Sequence, residues 1–161
     1  MDTRTYRRCV RIVIVKGKQV LLGKKYIDNK FIGYEFPGGG IEPKDSETET
    51  VVKEALEEVG ILVRNPVNLH LRYCYDIDYT NPERAKLYKG GEDVWYMADF
   101  AKRDEALHGI ENDKLPYTWE TIDKAIDKIR KGPQSRFNAA RIEALKAVED
   151  KISKRIGLES W

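Results

Sequence analysis

The hydrophobic pattern of the chain changes period along its length, and each change predicts an element. Residues 9 to 15, CVRIVIV, form a β-branched run that turns at Lys16-Gly17-Lys18 into QVLLG, the pattern of a β-hairpin. FIGYEF at 31 to 36 adds a short extended piece that stops at Pro37 and three glycines. The period then shifts from two to about 3.6. Val51, Val52, Ala55, Leu56 and Val59 fall on one helical face, with Asp45 or Ser46 placed to cap the start and Gly60 to stop the helix. Beyond it, ILV and LHLRYCYDIDY read as strands, and the polar stretch TNPERAKLYKGGED separates them from a further strand, VWYMADF. Residues 101 to 116 predict a long loop. Ile122, Ala125, Ile126 and Ile129 return to helical spacing until Gly132-Pro133 breaks it. A final helix from about Ser135 to Ile156 turns Phe137, Leu145, Val148, Ile152 and Ile156 toward the core or a partner. The order predicts an α/β domain with a mixed β-sheet packed between helices.

One helix carries an electrostatic oddity. Glu54, Glu57 and Glu58 share roughly a 100° sector facing away from the valine stripe, with no basic residue between them. Each like-charge pair at this spacing costs a helix about 0.2–0.5 kcal/mol. The helix C-terminus nearby disfavours negative charge as well. A divalent cation would reverse both penalties, and oxygen ligands without His or Cys favour Mg²⁺, or alternatively Mn²⁺, over zinc. The competing reading is a plain solvated acidic face. The preceding Gly38-Gly39-Gly40 turn argues against it, because bare backbone beside carboxylates forms a pocket for a metal and a phosphate chain together.

Composition bounds the function classes. A length of 161 residues predicts one domain spanning 1–161, and 41% hydrophobic with 35% charged residues is a soluble globular balance. A formal net charge of +2 gives no global reason to expect duplex nucleic acid or a membrane as partner. The longest apolar run is too short to cross a bilayer and no signal-peptide pattern opens the chain, so a cytoplasmic monomer or homodimer is expected. Cys9 and Cys74 make neither a disulfide framework nor a zinc motif. Strand alternation puts Arg7, Cys9 and Arg11 on one face, and Arg8, Val10 and Ile12 on the other. Arg11 lies in an otherwise apolar strand and needs a partner, either a buried carboxylate or a substrate phosphate.

Residues 39 to 61 resemble the signature box of the Nudix hydrolases, Gly-x5-Glu-x7-Arg-Glu-U-x-Glu-Glu-x-Gly-U, where U is bulky and aliphatic. Gly39 opens the box, Glu54 follows the basic position, Glu57 and Glu58 form the acidic pair, and Gly60-Ile61 closes it. EFPGG at 35 to 39 is also similar to the family. Three positions depart from the pattern: Asp45 stands for the first glutamate, Lys53 for the arginine, and Ala55 for a bulkier residue. The resemblance implies an αβα sandwich with an additional C-terminal helix. It also implies that Asp45 and Lys53 form a structural brace, looser than the usual pair because lysine lacks the planar fork of arginine.

What the resemblance implies about activity is Mg²⁺-dependent hydrolysis of the pyrophosphate linkage of a nucleoside diphosphate joined to another group. A (deoxy)nucleoside triphosphate or a dinucleoside polyphosphate is the expected small-molecule substrate. Glu57 and Glu58 would be metal ligands, Glu54 a ligand or close helper, and the Gly39 carbonyl a further ligand. Some members take the general base from the motif helix, others from a loop before a Trp-containing segment. That loop holds Glu105, Glu111 and Asp113, with Glu111 the first choice and Asp113 the second. Arg7 or Arg11 would bind distal phosphates, and Tyr79 and Trp119, among other aromatics such as Tyr75 and Trp95, would stack on a base. A proline typical of ADP-ribose hydrolases is replaced by Asp76. The alternative is a module that binds a nucleotide or an RNA end without turnover.

Overall fold

The computed structural model describes residues 1–103 and 117–159. β1 (Thr5–Lys16) and β2 (Gln19–Ile27) form the expected hairpin around Gly17, whose φ of 62° is the left-handed conformation such a turn demands. β3 (Lys30–Glu35) continues antiparallel to β2, and the triglycine is itself a short strand, β4 (Gly38–Gly40). Next come α1 (Glu47–Val59), β5 (Ile61–Asp76), α2 (Pro82–Leu87) and β6 (Tyr88–Arg103). After the undescribed residues come β7 (Tyr117–Thr121), α3 (Ile122–Lys131) and α4 (Asn138–Glu159).

The sheet order is β3-β2-β1-β6-β5, with β4 paired to β1 and β7 to β2. Among the described residues only the β1–β6 pairing, at the sheet's centre, is parallel, so the sheet is mixed, as the element order predicts. One face packs Val10, Ile12 and Ile14 against Val51, Ala55 and Val59 of α1. The opposite face packs Val13, Val15, Trp95 and Met97 against Ile126 and Ile129 of α3 and Leu145 and Val148 of α4. Helices therefore cover both faces.

Four differences from the sequence reading have physical causes. ILV and LHLRYCYD belong to one 16-residue strand, because left-handed Asn65 and His70 absorb register shifts without ending the pairing. The polar stretch after it contains helix α2, which Asn81 caps and Pro82 opens. Its glycines begin β6, where Gly90 lies so close to the Tyr75 carbonyl that no side chain would fit. Ile156, expected to face the core or a partner, is 45% exposed. Among the described residues no helix is long and apolar enough to cross a membrane.

Candidate active site

The motif helix is held firmly at both ends. Ser46 rather than Asp45 is the N-cap, its hydroxyl accepting from the Glu49 N–H at 3.1 Å. Gly60 closes the helix in the left-handed conformation, φ 67°. Tyr96 donates to Glu47 at 2.7 Å, and Arg8 also bonds Glu47, so the first turn is pinned to the sheet. The Lys53 ammonium stands 3.7 Å from the Asp45 carboxylate, while its side chain stays 43% exposed.

Between those ends, two of the acids turn inward toward β4 instead of facing solvent. Glu58 accepts from the Gly38 N–H at 2.8 Å. Glu54 lies against Gly39, where any side chain would collide with its carboxylate. Glu57 is exposed. Burial pushes the Glu58 pKa up to about 7, and the charges of Glu35 and Glu54 add to the rise. The Gly38 hydrogen bond and the nearby Arg11 charge oppose it without prevailing. Glu35 reaches this neighbourhood from the end of β3.

The donor chemistry is oxygen only, carboxylates and bare glycine backbone, which fits a hard divalent cation. Among the described residues, however, no three Asp, Glu, His or Cys side chains stand together in an arrangement ready to hold a metal. The Gly39 carbonyl belongs to the strand β4, which pairs Gly38, Gly39 and Gly40 with Arg11, Val10 and Cys9 of β1.

The basic residues divide as strand alternation predicts. Arg8 points to the α1 side. Arg7 lies over Gly40, where a side chain would collide with its guanidinium, and donates to Cys9 Sγ at 3.5 Å. Arg11 finds a carboxylate partner, Asp93 of β6, 3.5 Å from its Nε. Burial is the largest influence on Arg11 and works against its charge, but Asp93 together with Cys9, Tyr75 and Glu58 holds the guanidinium above its ordinary pKa. Tyr79 donates to the Gly90 carbonyl at 2.9 Å, near enough to Cys9 and Arg7 for their charges to act on its hydroxyl.

Trp119 is not brought to this group. It packs with the α1-side core, edge-on to Phe100 at 5.7 Å and under the Lys16 ammonium at 5.5 Å. Glu105, Glu111 and Asp113 lie outside the described residues. Several neighbours of the site carried no sequence signal. Tyr117 of β7 is one: its buried hydroxyl has no hydrogen-bond partner among the described residues, and Glu58 and Glu35 are near enough to raise its pKa beyond the effect of burial. Asp93 and Arg141 are the others, whereas Glu35 opens the EFPGG segment already noted. A tyrosine in YTWET or an aspartate in GGED looks like any strand or loop residue until the sheet is assembled.

The model of the NUDIX domain family matches residues 5–140. An RNA pyrophosphohydrolase of Erythrobacter litoralis is 29% identical over 131 residues, covering 69% of this chain and 79% of that protein. Another RNA pyrophosphohydrolase, from Zymomonas mobilis, is 26% identical over 129 residues, covering 76% and 83% respectively. Among solved structures, a NUDIX hydrolase from Nitrosomonas europaea superposes with a TM-score of 0.64 at 19% identity, over 89% of this chain and 90% of that one. An ADP compounds hydrolase gives 0.65 at 22% identity, over 95% and 76%. At those identities the two structures speak for the fold.

Proposed function

This chain belongs to the Nudix family, and from that premise we propose that it hydrolyses a pyrophosphate linkage at the 5′-polyphosphate end of a nucleotide, either a free nucleoside triphosphate or an RNA terminus. The observation that carries the reading is the inward turn of Glu58 and Glu54 onto Gly38 and Gly39. Like charges are gathered in a partly buried place and leave oxygens clustered beside bare backbone, an arrangement that costs stability unless a cation and a phosphate chain use it. The curated relatives named as RNA pyrophosphohydrolases support a polyphosphate end as the group attacked.

Glu54, Glu57, Glu58 and the Gly39 carbonyl would hold Mg²⁺ or Mn²⁺. Bound there, the metal supplies the positive charge that lets water approach an anionic phosphorus. Arg7, whose guanidinium lies over Gly40, would bind a phosphate of the substrate. The Asp45–Lys53 pair steadies the start of the loop against α1. Tyr117 offers a hydroxyl without a partner beside Glu58. Glu111 and Asp113, outside the described residues, stay the proposed general bases, with Glu58 the alternative from the helix.

Product release from GTP, ATP, a dinucleoside tetraphosphate, ADP-ribose and a 5′-triphosphorylated RNA tests this, with Mg²⁺ or EDTA, for wild type and Glu57→Gln. Glu57 is exposed, so the variant folds normally, and a loss of at least about 100-fold in metal-dependent turnover is expected. Tight nucleotide binding with no turnover on any substrate would instead make the protein a binding module.

A further inference from the structure

We propose that the β2–β3 hairpin is a stacking platform for single-stranded RNA. Bases downstream of the reacting 5′ end lie against Tyr26, Phe31 and Tyr34. The inference rests on the hydrolase reading above and deepens it, choosing an RNA terminus over a free nucleotide.

The first argument is aromatic surface left in solvent. Tyr26 and Phe31 are register partners across the hairpin, their ring centroids 5.7 Å apart, and Phe31 meets Tyr34 at 5.1 Å. Three rings therefore run in a row along the hairpin. Only the inner end of the row is anchored. Tyr34 packs on the core beneath α3 and α4 and lies against Gly132, where a side chain would crowd its ring. Phe31 is half-buried, and at the outer end Tyr26 is 41% and Ile27 52% exposed. The turn between the strands is Asp28-Asn29, both left-handed at φ 51° and 63°, the tight two-residue connection that fixes a hairpin's register. A defined backbone thus holds the rings outward. An apolar patch of this kind, rimmed by polar groups, marks a surface kept for a partner.

The second argument is charge. From Lys24 to Tyr34 the hairpin carries three lysines and a single acid, Asp28. Lys25 is drawn to Glu35 at 3.7 Å, whereas Lys24 and Lys30 have no acid partner among the described residues. Lys24 is the register partner of Tyr34, and Lys30 that of Ile27. Cations therefore alternate with rings. Such a surface suits a polyanion whose bases offer flat faces, the combination that holds single-stranded nucleic acid without reading its sequence. A duplex keeps its bases stacked inside and cannot use the rings. A second copy of this chain pairing edge to edge with β3 is opposed by Lys30, a charge of the kind that guards edge strands.

The third argument is placement. β3 stands at the end of the strand order, so its outer edge is open among the described residues. It runs through Phe36 and Pro37 directly into β4, where the Gly38 N–H holds Glu58. Tyr34 precedes Gly38 by four residues, so the chain between them spans no more than roughly 14 Å. Phe31 and Tyr26 continue the row outward in steps of 5.1 and 5.7 Å, the scale that separates neighbouring bases in an unpaired strand. A mononucleotide held at the carboxylates engages at most the inner ring. An RNA of several nucleotides engages all three.

Fluorescence anisotropy in EDTA tests this without turnover, using 3′-labelled, 5′-monophosphorylated RNAs of one, two, four and eight nucleotides. Affinity is expected to rise at least about ten-fold from the single nucleotide to the eight-mer, and an eight-base-pair duplex should bind at least about ten-fold more weakly than that eight-mer. Tyr26→Ala, and Phe31→Leu, which keeps an apolar side chain but removes the ring, should each weaken the eight-mer at least about five-fold and leave the single nucleotide unchanged. Lys30→Gln should flatten the slope of log affinity against log salt by about 0.7. Thermal melts confirm that each variant is folded. Affinity independent of length, a duplex bound as well as the single strand, or eight-mer binding that survives both ring substitutions would overturn the proposal. So would a hairpin-mediated dimer, seen as a sedimentation mass that halves on Phe31→Leu. Length-dependent binding that is lost with the rings, in a protein with no metal-dependent turnover on any substrate, would leave the platform standing and sink the hydrolase reading instead.

Discussion

The two flanks of the short glycine strand are built in opposite ways. On one side, α1 carries Glu54, Glu57 and Glu58 within a single turn and a half, braced by the Asp45–Lys53 pair at 3.7 Å with its lysine 43% exposed. On the other, Arg11, Asp93, Tyr75 and Phe137 come from three strands and the segment before α4, and the ion pair there has an aspartate side chain only 9% exposed. The first flank is local and wet at its rim; the second is assembled from distant segments and drier. The same pair of opposite charges should therefore contribute little in one place and a great deal in the other.

Breaking the buried pair should have the largest effect. Arg11→Met leaves Asp93 uncompensated under α4, and a loss of about 3 kcal/mol in denaturant unfolding is expected. An unchanged midpoint would mean that Asp93 is already satisfied without Arg11.

The carboxylate flank gives the next effect, and its sign is set by the direction of the shift. Glu58 is raised from 4.5 to about 7 in the folded protein, so the folded state binds more protons than the unfolded state between those values. Stability in EDTA should accordingly be greatest below pH 4.5 as far as this group is concerned. It should fall as pH rises to about 7, by up to about 3 kcal/mol. Melting curves of wild type and Glu58→Gln across that range would expose it, since the variant should lack this slope.

The smallest effect belongs to the exposed brace. Lys53→Met should cost less than about 1 kcal/mol, because its ammonium loses little by facing water. A cost equal to that of Arg11→Met would abolish the contrast between the flanks.

The legibility of the chain follows the same division. The helix 47–59, its glycine stop and the three acids are readable because residues three and four apart on a helix must be neighbours, whatever the rest of the chain does. The β-branched run of β1 announces a strand, and the hairpin at Gly17 has ordinary turn chemistry. β7 was not legible: five residues, YTWET, become a strand only because β2 offers a free edge beside Gln19–Gly23. The start of β6 reads as a polar loop, yet it is the central partner of both β1 and β5. The direction of Glu54 and Glu58 also escaped a helical projection, which shows that they avoid the valine stripe and not that β4 waits beside them.

By itself, then, the sequence determined the mixed α/β class, the family signature and the acidic helix, since each is written in short-range spacing. Tertiary structure decided which carboxylates turn inward, that Arg11 meets Asp93, and that Trp119 packs on the α1 side of the sheet. The physical reason is register. The parallel pairing of β1 with β6 sets Cys9 opposite Asp93 and Arg11 opposite Trp95, and no local pattern specifies which residues two distant strands will place side by side.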